Sequence, residues 1–76
     1  MKSVNIKLTS IQDVRDFVDI VTRHNMEIDL ASGRYVVDAK SIMGIFSLDL
    51  LSPITLTAHG DDTDVLMKEL DKFIIK

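Results

Sequence analysis

The stretch Lys40-Ser41-Ile42-Met43-Gly44-Ile45-Phe46-Ser47-Leu48 governs how the rest of the chain is read. Its first serine stands where a helix should begin, and no charged residue follows before Asp49. A short helix in a small domain hides one apolar stripe and wets the rest. Here Ile45 and Leu48 suit a core, while Ile42, Met43 and Phe46 lie on another side of the same helix. The segment therefore reads as a docking surface with a hydroxyl at its start. Ser52-Pro53 then interrupts the chain, because the residue before proline is pushed out of helical geometry.

Upstream, Val4, Ile6 and Leu8 alternate with Asn5, Lys7 and Thr9, the period of a half-buried strand. The period changes at Ile11. Ile11, Val14, Phe17, Val18 and Val21 fall on one helical face, with Ser10 as N-cap and Asp13 placed as in a capping box. His24-Asn25 ends that helix. Met26, Ile28 and Leu30 give a second strand, Ser32-Gly33 a turn, and Arg34 to Val37 a third strand, so the pair reads as a hairpin. Downstream, Ile54, Leu56 and Ala58 mark a fourth strand. Gly60-Asp61-Asp62 opens a last helix, which carries Val65, Leu66, Leu70, Phe73 and Ile74 inward and Lys72 and Lys76 near its negative end. The order is β-α-β-β-α-β-α. Four alternating strands make an antiparallel sheet with one face for the helices, an α+β sandwich of two layers. Pattern alone leaves the strand order open.

Seventy-six residues suit a single domain, near the lower limit for a core without staples. There is no cysteine, hence no disulfide or zinc-thiolate framework, and no metal-ligand cluster or glycine-rich phosphate loop. Neither a metal nor a cofactor is expected. The net charge of −3 argues against nucleic acid, and no apolar run approaches the ~20 residues that span a membrane. Without the apolar core of a signal peptide at its start, the chain is expected to be cytoplasmic.

From Gly33 to about Ile74, and more weakly from Met1 to Ala31, the sequence resembles the HPr family, the histidine-containing phosphocarriers of the bacterial sugar phosphotransferase system. Lys40-Ser41-Ile42-Met43-Gly44 followed by Ser47-Leu48 is similar to that family's regulatory serine segment. The resemblance implies one HPr-like domain over 1–76. It also implies an open-faced β-sandwich of strand order 1-4-2-3, covered on one face by three helices.

In that family the phosphorylated histidine opens the first helix, where freed backbone N–H groups receive an anion. Here the segment is Thr9-Ser10-Ile11-Gln12-Asp13. The resemblance sets Ser10 against the histidine, Gln12 against a helping arginine and Asp13 against a proline, and a slip of one residue finds no histidine either. His24 falls about 20 Å away at ~1.5 Å per residue, and reads as a C-terminal cap. His59, ending the fourth strand, reads as a surface histidine. Asp13 and Asp16 crowd the first two turns, with Arg15 as the nearby cation. A non-enzymatic protein that does not relay phosphate through histidine is the expectation.

Ser41 matches the family's regulatory serine, the target of a dedicated HPr kinase. Its plain alternative role, an N-cap worth about 1 kcal/mol, is compatible with that one. With Lys40, the residues Ile42, Met43 and Phe46 match positions where the family docks enzyme I, sugar permeases, the kinase and a transcription regulator. Their alternatives are a place in the core or a homodimer contact. Loss of the histidine with the serine kept resembles the catabolite-repression branch of the family, Crh, although the arginine-proline pair is missing here too. The expected role is a regulatory, protein-binding module of the phosphotransferase system. The competing readings are a working phosphocarrier and an oligomerisation domain that has merely kept the fold.

Overall fold

Alternation and capping in the sequence set the order of elements along the chain. They are β1 (Lys2–Ile6), α1 (Ile11–Thr22), β2 (Glu27–Ser32), β3 (Tyr35–Asp38), α2 (Ile42–Phe46), β4 (Ile54–His59), α3 (Thr63–Glu69) and a 3₁₀ turn (Asp71–Phe73). The computed structural model describes residues 1–75. The four strands form one antiparallel sheet in the order β1-β4-β2-β3, the open-faced arrangement of the HPr fold.

Because side chains alternate across a strand, each strand sends one set of residues to the helices and the other to solvent. Ile54, Leu56 and Ala58 of β4 and Ile28 and Leu30 of β2 are buried, opposite Ile6 of β1. Val14, Phe17 and Val21 of α1, Ile45 of α2 and Leu66 of α3 close the core from the helical side. Among the described residues, every buried side chain is apolar. Phe17 and Phe73 meet edge to face with ring centroids 6.0 Å apart, tying the 3₁₀ turn to α1.

Several expectations shift in detail. The third strand begins at Tyr35, since Gly33, at φ 59°, and Arg34 form the hairpin turn. Ile11, expected inward, is 64% exposed. Side chains lean toward a helix N-terminus, so the first residue of α1 overhangs its own start. Val65, also expected inward, is exposed, because Leu66 and Leu70 take the core one helical step away and Met67 packs beside them. The last helix also breaks, with Leu70 ending α3 before the 3₁₀ turn. Lys76 lies outside the described residues. Among the described residues, no helix is long and apolar enough to cross a membrane.

Candidate functional site: the start of α1 and the exposed side of α2

Ser10 caps α1 as its position suggests. Its backbone is extended and its hydroxyl accepts a hydrogen bond from the Asp13 N–H at 3.0 Å. The reciprocal half of the motif differs from a capping box. The Asp13 carboxylate reaches past Ser10 to Thr9, accepting from its N–H at 3.0 Å and its hydroxyl at 2.8 Å. Those two bonds, backbone first, hold the Asp13 carboxyl below its ordinary value of 3.8, with a smaller contribution from Lys72. The first turn is thus an acidic cap whose carboxylate is already engaged. Asp16 accepts from the Gln12 side-chain amide at 2.9 Å and lies 3.5 Å from Lys72 Nζ. Arg15 is therefore joined by a second cation, Lys72, which local sequence could not reveal because the Phe17–Phe73 contact brings it across.

Neither histidine comes to this end of the molecule. β4 runs antiparallel to β1, so Ile54 lies opposite Ile6 while His59 lies at the far end, where it is hydrogen-bonded to Asp29 at 2.8 Å. His24 is not a side-chain cap of α1. Its ring is hydrogen-bonded to Glu69 of α3 at 2.5 Å, and the backbone carbonyl of His24 is satisfied by Lys40 Nζ at 2.6 Å. Lys40 is half-buried in that role, reaching back from the threshold of α2 to the end of α1.

Ser41 caps α2, its hydroxyl accepting from the Gly44 N–H at 3.2 Å, and stays exposed. Gly44 allows α2 to sit close on β3, since a Cβ there would lie 3.2 Å from Val37 Cβ and 3.1 Å from Ser41 Oγ. Ile45 and Leu48 point into the core, which turns the other apolar residues outward. Met43 is 75% exposed, Phe46 41%, and Ile42 is half-buried against the core.

The two regions share a wall. A groove of about 530 Å³ runs between the start of α1 and the end of α2, lined by Leu8, Ser10 and Ile11 on one side and Phe46, Leu50 and Leu51 on the other. Sequence reading missed Ile11 and Leu51 as members of this surface. Leu51 is 89% exposed, and its place beside Asp49 and Ser52 gave the only hint that it lies in a loop. The joined surface offers apolar area, a capped hydroxyl at Ser41 and, at Ser10, a second hydroxyl. It offers no imidazole. Among the described residues, no group of three His, Cys, Asp or Glu side chains is gathered to hold a metal.

Comparison with known proteins follows the same lines. The family model described as "PTS HPr component phosphorylation site" matches residues 13–76, starting just after Ser10. No curated protein sequence matches. Among solved structures, the chain is similar to HPr-C-His from Thermoanaerobacter tengcongensis, at 31% identity over 95% of this chain and 89% of that one, with a TM-score of 0.79. The phosphocarrier protein HPr from Bacillus anthracis is similar at 30% identity, covering 97% and 94% of the two chains, with a TM-score of 0.73. Crh, the catabolite-repression protein of Bacillus subtilis, whose structure is described as a dimer with a swapped domain, follows at 25% identity. It covers 93% of this chain and 88% of its own, with a TM-score of 0.65.

Proposed function

The chain belongs to the HPr family of the phosphotransferase system, and we propose that within it this member works as a regulatory protein-binding module rather than as a histidine phosphocarrier. The observation that carries this reading is the start of α1. The resemblance sets Ser10 at the family's carrier position, and the Asp13 carboxylate accepts from the neighbouring Thr9 donors. A phosphoryl group arriving there would have no imidazole to accept it and would meet an ionised carboxylate whose charge Lys72 only partly offsets.

The working surface is then the exposed side of α2. Met43 and Phe46, with half-buried Ile42, present the apolar area that a partner would cover, and methionine suits a surface that adapts to several partners. Lys40 contributes by fixing the entry to α2 through its bond to the His24 carbonyl. Ser41 is the regulatory phosphoacceptor. Phosphorylation would add about −1.5 to −2 charge beside that surface, at a helix end whose dipole tolerates it, so the switch alters binding without unwinding α2. Partners of this kind are HPr kinase, a transcription regulator and proteins of the phosphotransferase system.

The competing reading, a working phosphocarrier, is favoured by the phosphorylation-site description of the matching family. The two separate on labelling. Phosphoenolpyruvate with enzyme I should leave the protein without phosphohistidine, and HPr kinase with ATP should place one phosphate on Ser41 and none on the S41A variant. Acid-labile label on His24 or His59 would overturn the regulatory reading. So would a Ser41 that the kinase ignores, together with Met43 and Phe46 resonances unmoved by kinase or enzyme I.

A further inference from the structure

The two edges of the sheet are treated differently. β1 is covered on the outer side of its C-terminal end by the chain's own last residues, with Ile75 N–H donating to Asn5 O at 2.9 Å and Lys7 N–H donating to Phe73 O at 2.9 Å. β3, at the other edge, has β2 as its single strand neighbour among the described residues. Antiparallel partners exchange hydrogen bonds at alternate residues. Ala39 N–H donates to Ile28 O at 2.9 Å, so Val37 and Tyr35, two and four residues earlier, face β2, and Val36 turns its N–H and C=O outward. Among the described residues nothing accepts from or donates to that outward pair.

Natural edges are usually blunted by proline, lysine, a bulge or a cover, because an open edge templates pairing with another chain. Tyr35-Val36-Val37-Asp38 has neither proline nor lysine, and Tyr35 and Val36 are 70% and 67% exposed. The charges at its ends decide what fits. Antiparallel pairing of β3 with itself, centred on Val36, sets Val36 against Val36 and Tyr35 against Val37, and brings Arg34, in the turn just before β3 of each copy, beside Asp38 at the end of the other's β3. Both residues are exposed, and among the described residues Arg34 has no ion-pair partner. Asp38 only accepts a turn hydrogen bond from the Lys40 N–H at 2.8 Å. The edge is therefore self-complementary in backbone groups and in charge.

We infer that β3 is a homodimerisation edge, joining two copies into one eight-stranded sheet through a two-fold axis at Val36. This surface is separate from the α2 surface, and its test does not depend on what α2 binds.

The test uses the intact chain in sedimentation-equilibrium runs across a concentration series. The wild type should dimerise reversibly. Arg34→Asp and Asp38→Arg should each weaken dimerisation about tenfold or more, since each sets like charges opposite one another twice. Mixed in equal amounts, the two variants should recover a heterodimer. The introduced aspartate of one chain then faces the introduced arginine of the other, and the unchanged Asp38 of the first faces the unchanged Arg34 of the second. That rescue cannot come from a variant that has failed to fold. A second arm uses the absence of cysteine: Val36→Cys should form an intermolecular disulfide under mild oxidation, since ~5.5 Å between opposed Cα atoms is within bonding range. Asn5→Cys, on the covered strand, should stay reduced. A wild type that remains monomeric throughout the series overturns the inference, even if an unrelated peptide binds the edge. Dimers that ignore both charge changes overturn it as well.

Discussion

Replacing Asp13 by asparagine keeps its shape but removes the charge that draws two hydrogen bonds from Thr9. The carboxyl of Asp13 titrates below its unfolded value, so between those two values the unfolded chain binds the extra proton. Stability from this group is therefore present above the ordinary carboxylate range and fades as pH falls through the lowered value. Urea unfolding should find the wild type more stable than D13N near neutrality, with the gap closing in acid. Removing the Ser41 hydroxyl should cost about 1 kcal/mol through loss of the Gly44 cap, visible in the same experiment as a lower midpoint with unchanged slope. At Gly44 two effects oppose each other. Alanine gains up to about 1 kcal/mol in helix propensity but crowds Ser41 Oγ at 3.1 Å and Val37 Cβ at 3.2 Å, disturbing the cap as well as the contact with β3. We expect crowding to win, leaving G44A less stable by about 1 kcal/mol.

At the scale of elements, α2 divides its apolar residues between two tasks, and stability measurements can separate them. Ile45→Ala should cost about 2–5 kcal/mol because the side chain is fully buried. Met43→Ala and Leu51→Ala should stay within about 0.5 kcal/mol of wild type by chemical denaturation. A large loss at Met43 would return that residue to the core and remove the surface on which the regulatory reading rests. The division between Ile45 and Met43 was legible from spacing alone, since both lie on a five-residue helix with a clear cap. The strands were legible too, down to the inward set Ile54, Leu56 and Ala58. Ile11 and Val65 were not. Both obey the helical period, but Ile11 overhangs the start of α1, and the rotation of α3 is set by what Leu66 and Leu70 reach across the sheet. Periodicity names a face and cannot say how far that face extends over its neighbour. The groove between α1 and the end of α2 escaped for the same reason, because its two walls come from segments some forty residues apart.

For the molecule as a whole, the 3₁₀ turn after α3 matters more than its length suggests. Phe73 stacks edge to face on Phe17, and its carbonyl accepts from the Lys7 N–H beside β1. Phe73→Ala should remove about 3–5 kcal/mol, a large share of the ~5–15 kcal/mol that holds a typical domain together. Thermal melting followed by circular dichroism should show a marked fall in midpoint. Lys72→Ala, which leaves the ring in place, should change it little, since the Lys72 side chain is 62% exposed and its pair with Asp16 is open to solvent.

The strand order also sets a timetable. Tyr35 finds Ser32 almost at once, whereas Ser3 must find Thr57 from the opposite end of the chain. Joining distant segments costs loop-closure entropy before any contact rewards it, so assembly of β1 onto β4 belongs late in the folding reaction. Stopped-flow refolding should then show that substitutions in the hairpin slow folding, while those in β1 chiefly hasten unfolding.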